Sequence, residues 1–425
     1  MHRHSINRRR LLGCCAAAAA GLFTGLAAEE AEAAAPPLPP PMPDAAERAL
    51  LARCFDGLDA AALWDAHAHL LGVGDGGTGC RIHPHLLQWW HPVEFMRRRV
   101  ILSAAGVDSD APAIDAAYVA RLRRLTDDFP AGARWLLYAF DEAHDDGGRA
   151  RPDWSTFHVP DAYAAQVAAA APQRFAWVAS VHPYRDDALE RLDRAIAGGA
   201  LAIKWLPSAM NIDLRDARLP RFYDRLADAR LPLIVHCGEE HAVPGAGRDE
   251  LGNPLLLRAP LQRGVRVIAA HCASLGKAED LDHPSRGAVP AFDLFARLMD
   301  ERGHEGRLLG DVSALFQRNR SVDCWRTVLA RDDWHARLLH GSDYPLPGLG
   351  PLYSLAALVR AGLLDPALMR PLQGLRRRNP LLFDLALKRV LRAGGAGLAN
   401  AVFDTRAHLA RPGAVVSKVS RGATL

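Results

Sequence analysis

Short apolar runs recur along this chain, separated by stretches whose apolar positions fall three and four apart. The runs cover residues 63–70, 134–141, 175–182, 200–206, 232–237, 266–272, 308–313 and 338–343. Near-continuous apolar strands alternating with helices predict a parallel sheet buried on both faces. Helices are expected over 95–105, 117–129, 188–197, 222–229 and 381–391, with Tyr118, Leu122, Leu125 and Phe129 on one face of the second. Eight strand–helix units predict an α/β fold, a (β/α)8 TIM barrel with inserted loops on its C-terminal rim. Residues 72–91, rich in Gly, His and Trp, read as the first such loop.

The ends of the chain read differently. Asn7-Arg8-Arg9-Arg10-Leu11-Leu12 precedes an Ala-rich apolar run, so residues 1–35 read as a twin-arginine signal peptide for bacterial export to the periplasm. An uncleaved membrane anchor is the alternative, since the run is long enough to span. Residues 36–62 form a Pro/Ala-rich spacer and a first helix, residues 63–395 the barrel, and residues 396–425 a C-terminal tail.

Composition is ordinary for a globular protein, with 49% apolar and 24% charged residues. The net charge of +4 and the lack of a basic run exclude nucleic acid as an expected partner. A small-molecule substrate is expected instead, with no membrane contact beyond the signal segment; a homo-oligomer is compatible with the composition. Seven cysteines without a CxxC pair do not make a disulfide scaffold, and buried thiols are the expectation for those beyond Cys15.

The candidate chemistry sits at the strand ends. In the first strand, Leu63-Trp-Asp65-Ala-His67-Ala-His69-Leu70, alternation turns His67 and His69 to one side, with Asp65 one layer below. With 18 histidines in the chain, His-x-His arises about once by chance, and it recurs at His2/His4 and His83/His85, so the motif needs context. The context is that Lys204, His236, His271 and Asp343 lie on or end later strands. Barrel enzymes build their sites at that rim. Burying four histidines and a carboxylate together calls for a compensating cation.

As an ordered set, Asp65-Ala-His67-Ala-His69, Lys204, Val235-His236-Cys-Gly, Ala270-His271-Cys and His340-Gly-Ser-Asp343-Tyr-Pro resemble the amidohydrolase superfamily, in its amidohydrolase-related branch of metal-dependent hydrolases and decarboxylases. The resemblance implies a metal-centred barrel with a divalent ion, typically zinc, and one or two ions per site. It implies His67, His69, His236, His271 and Asp343 as metal ligands. Asp343 is also the expected proton shuttle, and His271 either binds metal or polarises the substrate. Lys204 is either a carbamylated bridge between two ions or an amine that meets a substrate carboxylate. Asp65 is expected to hold a histidine ring in place. His182, Glu239 and Arg258 lie at or beyond the rim as candidate substrate contacts, and Asp311 ends the seventh strand similarly. The expected reaction is hydrolysis of an amide, cyclic amide or lactone by a metal-activated water. Decarboxylation of a small acid is the alternative, and a non-catalytic exported metal binder the third reading.

Overall fold

The computed structural model describes residues 43–285 and 287–410, so the signal peptide expected over residues 1–35 lies outside the described residues. Eight parallel strands stand where the apolar runs predict them: β1 (Trp64–His69), β2 (Arg134–Tyr138), β3 (Phe175–Val178), β4 (Ile203–Trp205), β5 (Leu233–His236), β6 (Val267–Ala270), β7 (Leu308–Asp311) and β8 (Leu338–Leu339). Continuous ladders join β1 to β3 and β4 to β8 as two arcs. Single parallel bridges, Ala179 to Ile203 and Ala68 to Tyr344, connect the arcs at both seams. Lys204 N donates to Ala179 O at 2.8 Å on one seam, and His69 N to Tyr344 O at 2.9 Å on the other. The strand order therefore returns to its start, as in a TIM barrel.

Alternation sorts the side chains between two cores. Trp64, Leu136, Val178, Ala202, Ile234, Ile268, Leu309 and Leu339, from on or beside each of the eight strands, pack together as the barrel interior. Their neighbours Leu137, Leu233, Val235, Val267 and Leu308 pack outward in the larger core. Runs apolar on both faces are what such a sheet demands. Outside it, a helix spans Ala188–Ala197 as expected, and another begins at Pro92 rather than residue 95, because proline suits a helix's first turn. Cys54, Cys80, Cys237, Cys272 and Cys324 are buried free thiols.

One irregularity aims the site. The pairing of β1 with β2 shifts register between Asp65 and Ala68. Trp64 and Ala66 point inward before the bulge, and Ala68 points outward after it. The extra residue turns His67 and His69 into the barrel, where unbroken alternation from Trp64 would have sent them out. The expectation that Asp65 lies one layer below these histidines is thereby corrected, since Asp65 falls on the opposite face of the strand.

The end of β8 is held from outside. Lys388, on the helix Pro380–Val390, donates to Gly341 O at 2.6 Å and pairs with Asp384 at 2.5 Å, both side chains being buried. Gly341 must be glycine because a Cβ there would stand 2.7 Å from the Cβ of His67. We expect Lys388→Met to destabilise the fold by about 3–5 kcal/mol by leaving Asp384 buried and unpaired. Adding Asp384→Leu should recover most of that loss in urea denaturation. Equal stability of Lys388→Met and wild type would contradict the pair's role.

Residues 396–410 are more than a tail. Val402, Phe403 and Leu409 are buried, Leu409 among the interior side chains. Val402 O accepts from His340 N at 2.8 Å, and Thr405 Oγ1 accepts from Trp64 N at 2.9 Å. The sparse apolar residues of a Gly/Ala-rich segment gave no period to read.

Candidate metal centre

Two overlapping groups of ligand-type atoms meet at His67: His67, His69 and Asp343 form one, and His67, His271 and Asp311 the other. Within each, the atoms lie within 4.8 Å of one another. His67 comes from β1, His271 and Asp311 from the ends of β6 and β7, and Asp343 from just beyond β8.

Asp311 organises the second group. Its Oδ2 accepts from His67 Nδ1 at 2.9 Å. Its Oδ1 accepts from the backbone N–H of His271 at 3.1 Å and of Ser313 at 3.0 Å, and from Ser313 Oγ. With both oxygens committed, Asp311 works as an orienting group. A proton fixed on Nδ1 leaves the lone pair of His67 on Nε2, the arrangement of a histidine that binds metal through that nitrogen. That Nε2 is enclosed and has no hydrogen-bond partner. His271 is set the same way. Its Nδ1 donates to the Ser313 carbonyl at 3.1 Å, which can only accept, and its ring stacks on His67 at 4.8 Å.

The first group presents ligands outward. Asp343 Oδ1 lies 3.0 Å from His69 Nε2 and 3.5 Å from His67 Nε2. Backbone strain marks the same rim: Asp343 has φ 58°, and His271, Cys272 and Ala273 have φ 55°, 50° and 50°. Non-glycine residues persist there only when the surroundings over-determine them, a signature of functional sites.

The electrostatics suit cation binding. Burial, reinforced by the charge of Lys204, lowers His67 to about 4. Burial also lowers His236 and takes His271 well below the imidazole range. Burial pushes the other way on Asp343, yet the imidazoles of His271, His69 and His67 hold it well below the carboxylate range. Asp311 is lowered against its own burial by His67 and His271. Near neutral pH His67, His236 and His271 are therefore neutral imidazoles and Asp311 and Asp343 ionised carboxylates, the forms a metal needs. The enclosed, unpartnered Nε2 of His67 facing a second imidazole and a carboxylate fits a divalent ion.

The other candidate residues fall at different distances from this centre. His236 adjoins it, with its ring 5.1 Å from that of His271, but Nε2 turns to Glu240 at 3.3 Å. Lys204 is buried on β4 with Nζ unpartnered, 5.4 Å from the Tyr138 ring, and burial lowers its pKa. Asp65 accepts from the backbone of His67 at 3.0 Å and of Ser342 at 2.8 Å, so it ties β1 to β8 rather than holding a ring. His182 spends both nitrogens internally, on Met210 O at 2.8 Å and Tyr184 N at 3.2 Å. Glu239 caps the rim at Lys277 N and is partly exposed. Arg258 is not brought to the centre: its guanidinium is held by Asp282 at 2.6 and 2.9 Å and by Glu301 at 2.5 Å, so ion pairs within the fold turn it elsewhere. Asp311 was legible only as a polar strand end; the signal that exposes it is its position one strand from His271.

Comparison with known proteins identifies a family for the chain. The sequence matches the family model described as Amidohydrolase over residues 64–372. No curated protein matches it significantly. Similar solved structures include an uncharacterized TIM-barrel protein of Bordetella bronchiseptica, at 17% identity and TM-score 0.45 over 76% of this chain and 99% of that one. Others are 4-oxalomesaconate hydratase of Rhodopseudomonas palustris (12%, TM-score 0.37, 77% and 98% covered) and 2,6-dihydroxybenzoate decarboxylase of Rhizobium (12%, TM-score 0.35, 70% and 97% covered).

Proposed function

The chain belongs to the amidohydrolase family of metal-dependent enzymes, and on that premise we propose that it hydrolyses an amide, cyclic amide or lactone bond in a small molecule. The observation that carries the reading is the enclosed His67 Nε2, unpartnered and facing His69 and Asp343. His67, His69 and Asp343 would hold the ion, with His271 and His236 beside them. This imidazole–carboxylate set suits zinc best, with manganese or iron as alternatives. A bound ion of this kind supplies a Lewis acid for the substrate carbonyl and a water with pKa near 7.

The protein's own residues do the rest. Asp343, ionised and 3.0 Å from His69, takes the proton of the attacking water and returns it to the leaving nitrogen or oxygen. Asp311 fixes the tautomer and tilt of His67, and Ser313 does so for His271. Lys204, a cation without a protein partner, meets the substrate. That same unpaired lysine favours the second reading, decarboxylation of a small acid. Release of carbon dioxide without incorporation of solvent oxygen would replace hydrolysis with that reading.

Chelation should abolish activity and zinc should restore it. Elemental analysis of the active protein should find one ion per chain, with Lys204 an amine; two ions would make Lys204 a carbamylated bridge. For residues 1–35 we propose twin-arginine export to the periplasm, which cell fractionation with and without Arg8→Lys/Arg9→Lys checks.

A further inference from the structure

Past the end of β7 the chain turns at Ser313 and Ala314, whose φ is 50°, into the rim loop that carries Gln317 and Arg320. Arg320 is partly buried, yet its Nε and Nη1 are fully enclosed and have no hydrogen-bond partner among the described residues. Arg98, Arg337 and Arg378 also enclose an unpartnered nitrogen. Each of those, however, spends another nitrogen within the fold, on Ser109 O at 2.6 Å, Met299 O at 2.9 Å and Glu47 at 3.0 Å respectively. Arg320 has no such contact.

A guanidinium with two enclosed nitrogens and no acceptor is unfavourable, and a fold tolerates it where an acceptor arrives from outside. Asp343, Cys324, Glu240 and Tyr353 are the groups whose charge bears on Arg320, and the carboxylates among them are Asp343 and Glu240. Both also act on Lys204, the other enclosed cation without a partner. Neither carboxylate pairs with them. Asp343 is engaged by His69 and His67, and Glu240 by Ala242 N at 2.5 Å, Val243 N at 2.9 Å and His236. Two unsatisfied cations thus lie in the field of Asp343, Lys204 on β4 and Arg320 on the loop that leaves β7 at Ser313, whose Oγ is 3.2 Å from His67 Nδ1 and 2.8 Å from His271 Nδ1.

We infer that Arg320 anchors a carboxylate carried by the substrate, holding the molecule by its acid group while the scissile bond lies at Asp343. A planar guanidinium matches a carboxylate's two oxygens, which a lysine does not. The substrate class is then a small acid bearing an amide, cyclic amide or lactone, a specificity that rests on the hydrolase reading for the bond cleaved but not for the acid bound.

The test titrates the purified, metal-containing protein with matched probes, benzoate against benzamide and glutarate against glutaramide, by calorimetry and thermal melting. Wild type should prefer each acid to its amide. Arg320→Met should weaken acid binding at least tenfold, and Arg320→Lys should fall between the two. Without ligand, Arg320→Met should melt no lower than wild type, because it removes an unpaired buried charge. No acid preference in wild type, acid binding unchanged in Arg320→Met, or a lower melting temperature for that variant would each overturn the inference. Acid preference that depends on Arg320, without hydrolysis of any amide or lactone, would uphold it and remove the hydrolase reading. Hydrolysis indifferent to Arg320→Met and to the substrate's acid group would do the reverse.

Discussion

Asp343→Asn should lower kcat by about 10²–10⁴-fold, the range a positioned acid–base group contributes, while the fold and much of the bound metal survive. The substitution is chosen for the backbone. Asp343 has φ 58°, a conformation asparagine tolerates better than most residues, so the chain past β8 keeps its path. The amide oxygen can still face the ion, but it cannot take a proton from water. Turnover should be measured on whichever ester, lactone or amide the wild type cleaves, with metal content determined on the same sample. Unchanged turnover would remove Asp343 from proton transfer.

Asp311→Ala should have the largest effect on the site's integrity. Four donors converge on this carboxylate: His67 Nδ1, the backbone N–H groups of His271 and Ser313, and Ser313 Oγ. Stranding them in the interior should cost about 3–5 kcal/mol, because breaking a buried network leaves each donor unsatisfied. Metal affinity should fall about 10–100-fold as His67 loses the group that fixes its tautomer. Asp311→Asn separates the two effects. It keeps an acceptor for the backbone, but its NH2 group opposes a proton on His67 Nδ1 and favours the tautomer with Nε2 blocked. Stability should largely recover and metal affinity should not. Because the folded protein lowers Asp311 below the carboxylate range, its stabilisation is full at neutral pH and is lost as pH falls below about 4. Loss of stability below that pH should be shallower in Asp311→Asn. Denaturant titration with zinc-binding calorimetry checks both effects, and full zinc affinity in Asp311→Asn would contradict the orienting role.

Much of this architecture was legible in the chain because a doubly covered parallel strand must be apolar throughout, and barrel rims collect polar residues at strand ends. His67, His69, His271 and Asp343 could be grouped on that basis before any contact was known. What could not be read depended on neighbours distant in sequence. The bulge in β1 hides behind a regular-looking His-Ala-His, so Asp65 was misplaced by simple alternation. Asp311 reads as one more strand end until β7 is seen beside β6, with its carboxylate reaching across to β1. Rim residues were the least legible, since loop paths decide where they point. Arg258 sits on a short helix facing Asp282 and Glu301, while Arg320, without any motif around it, is left without an acceptor near the centre. The packing of residues 396–410 was missed for a similar reason, resting on the few buried apolar side chains of Leu398, Val402, Phe403 and Leu409.

The central claim is that His67, His69 and Asp343 share one cation. Anomalous diffraction at the zinc edge from crystals of the zinc-loaded protein tests it directly. The account predicts a single strong peak about 2.0–2.2 Å from His67 Nε2, His69 Nε2 and an oxygen of Asp343. A zinc-loaded crystal with no peak among these three side chains, or with its peak elsewhere on the surface, would contradict it.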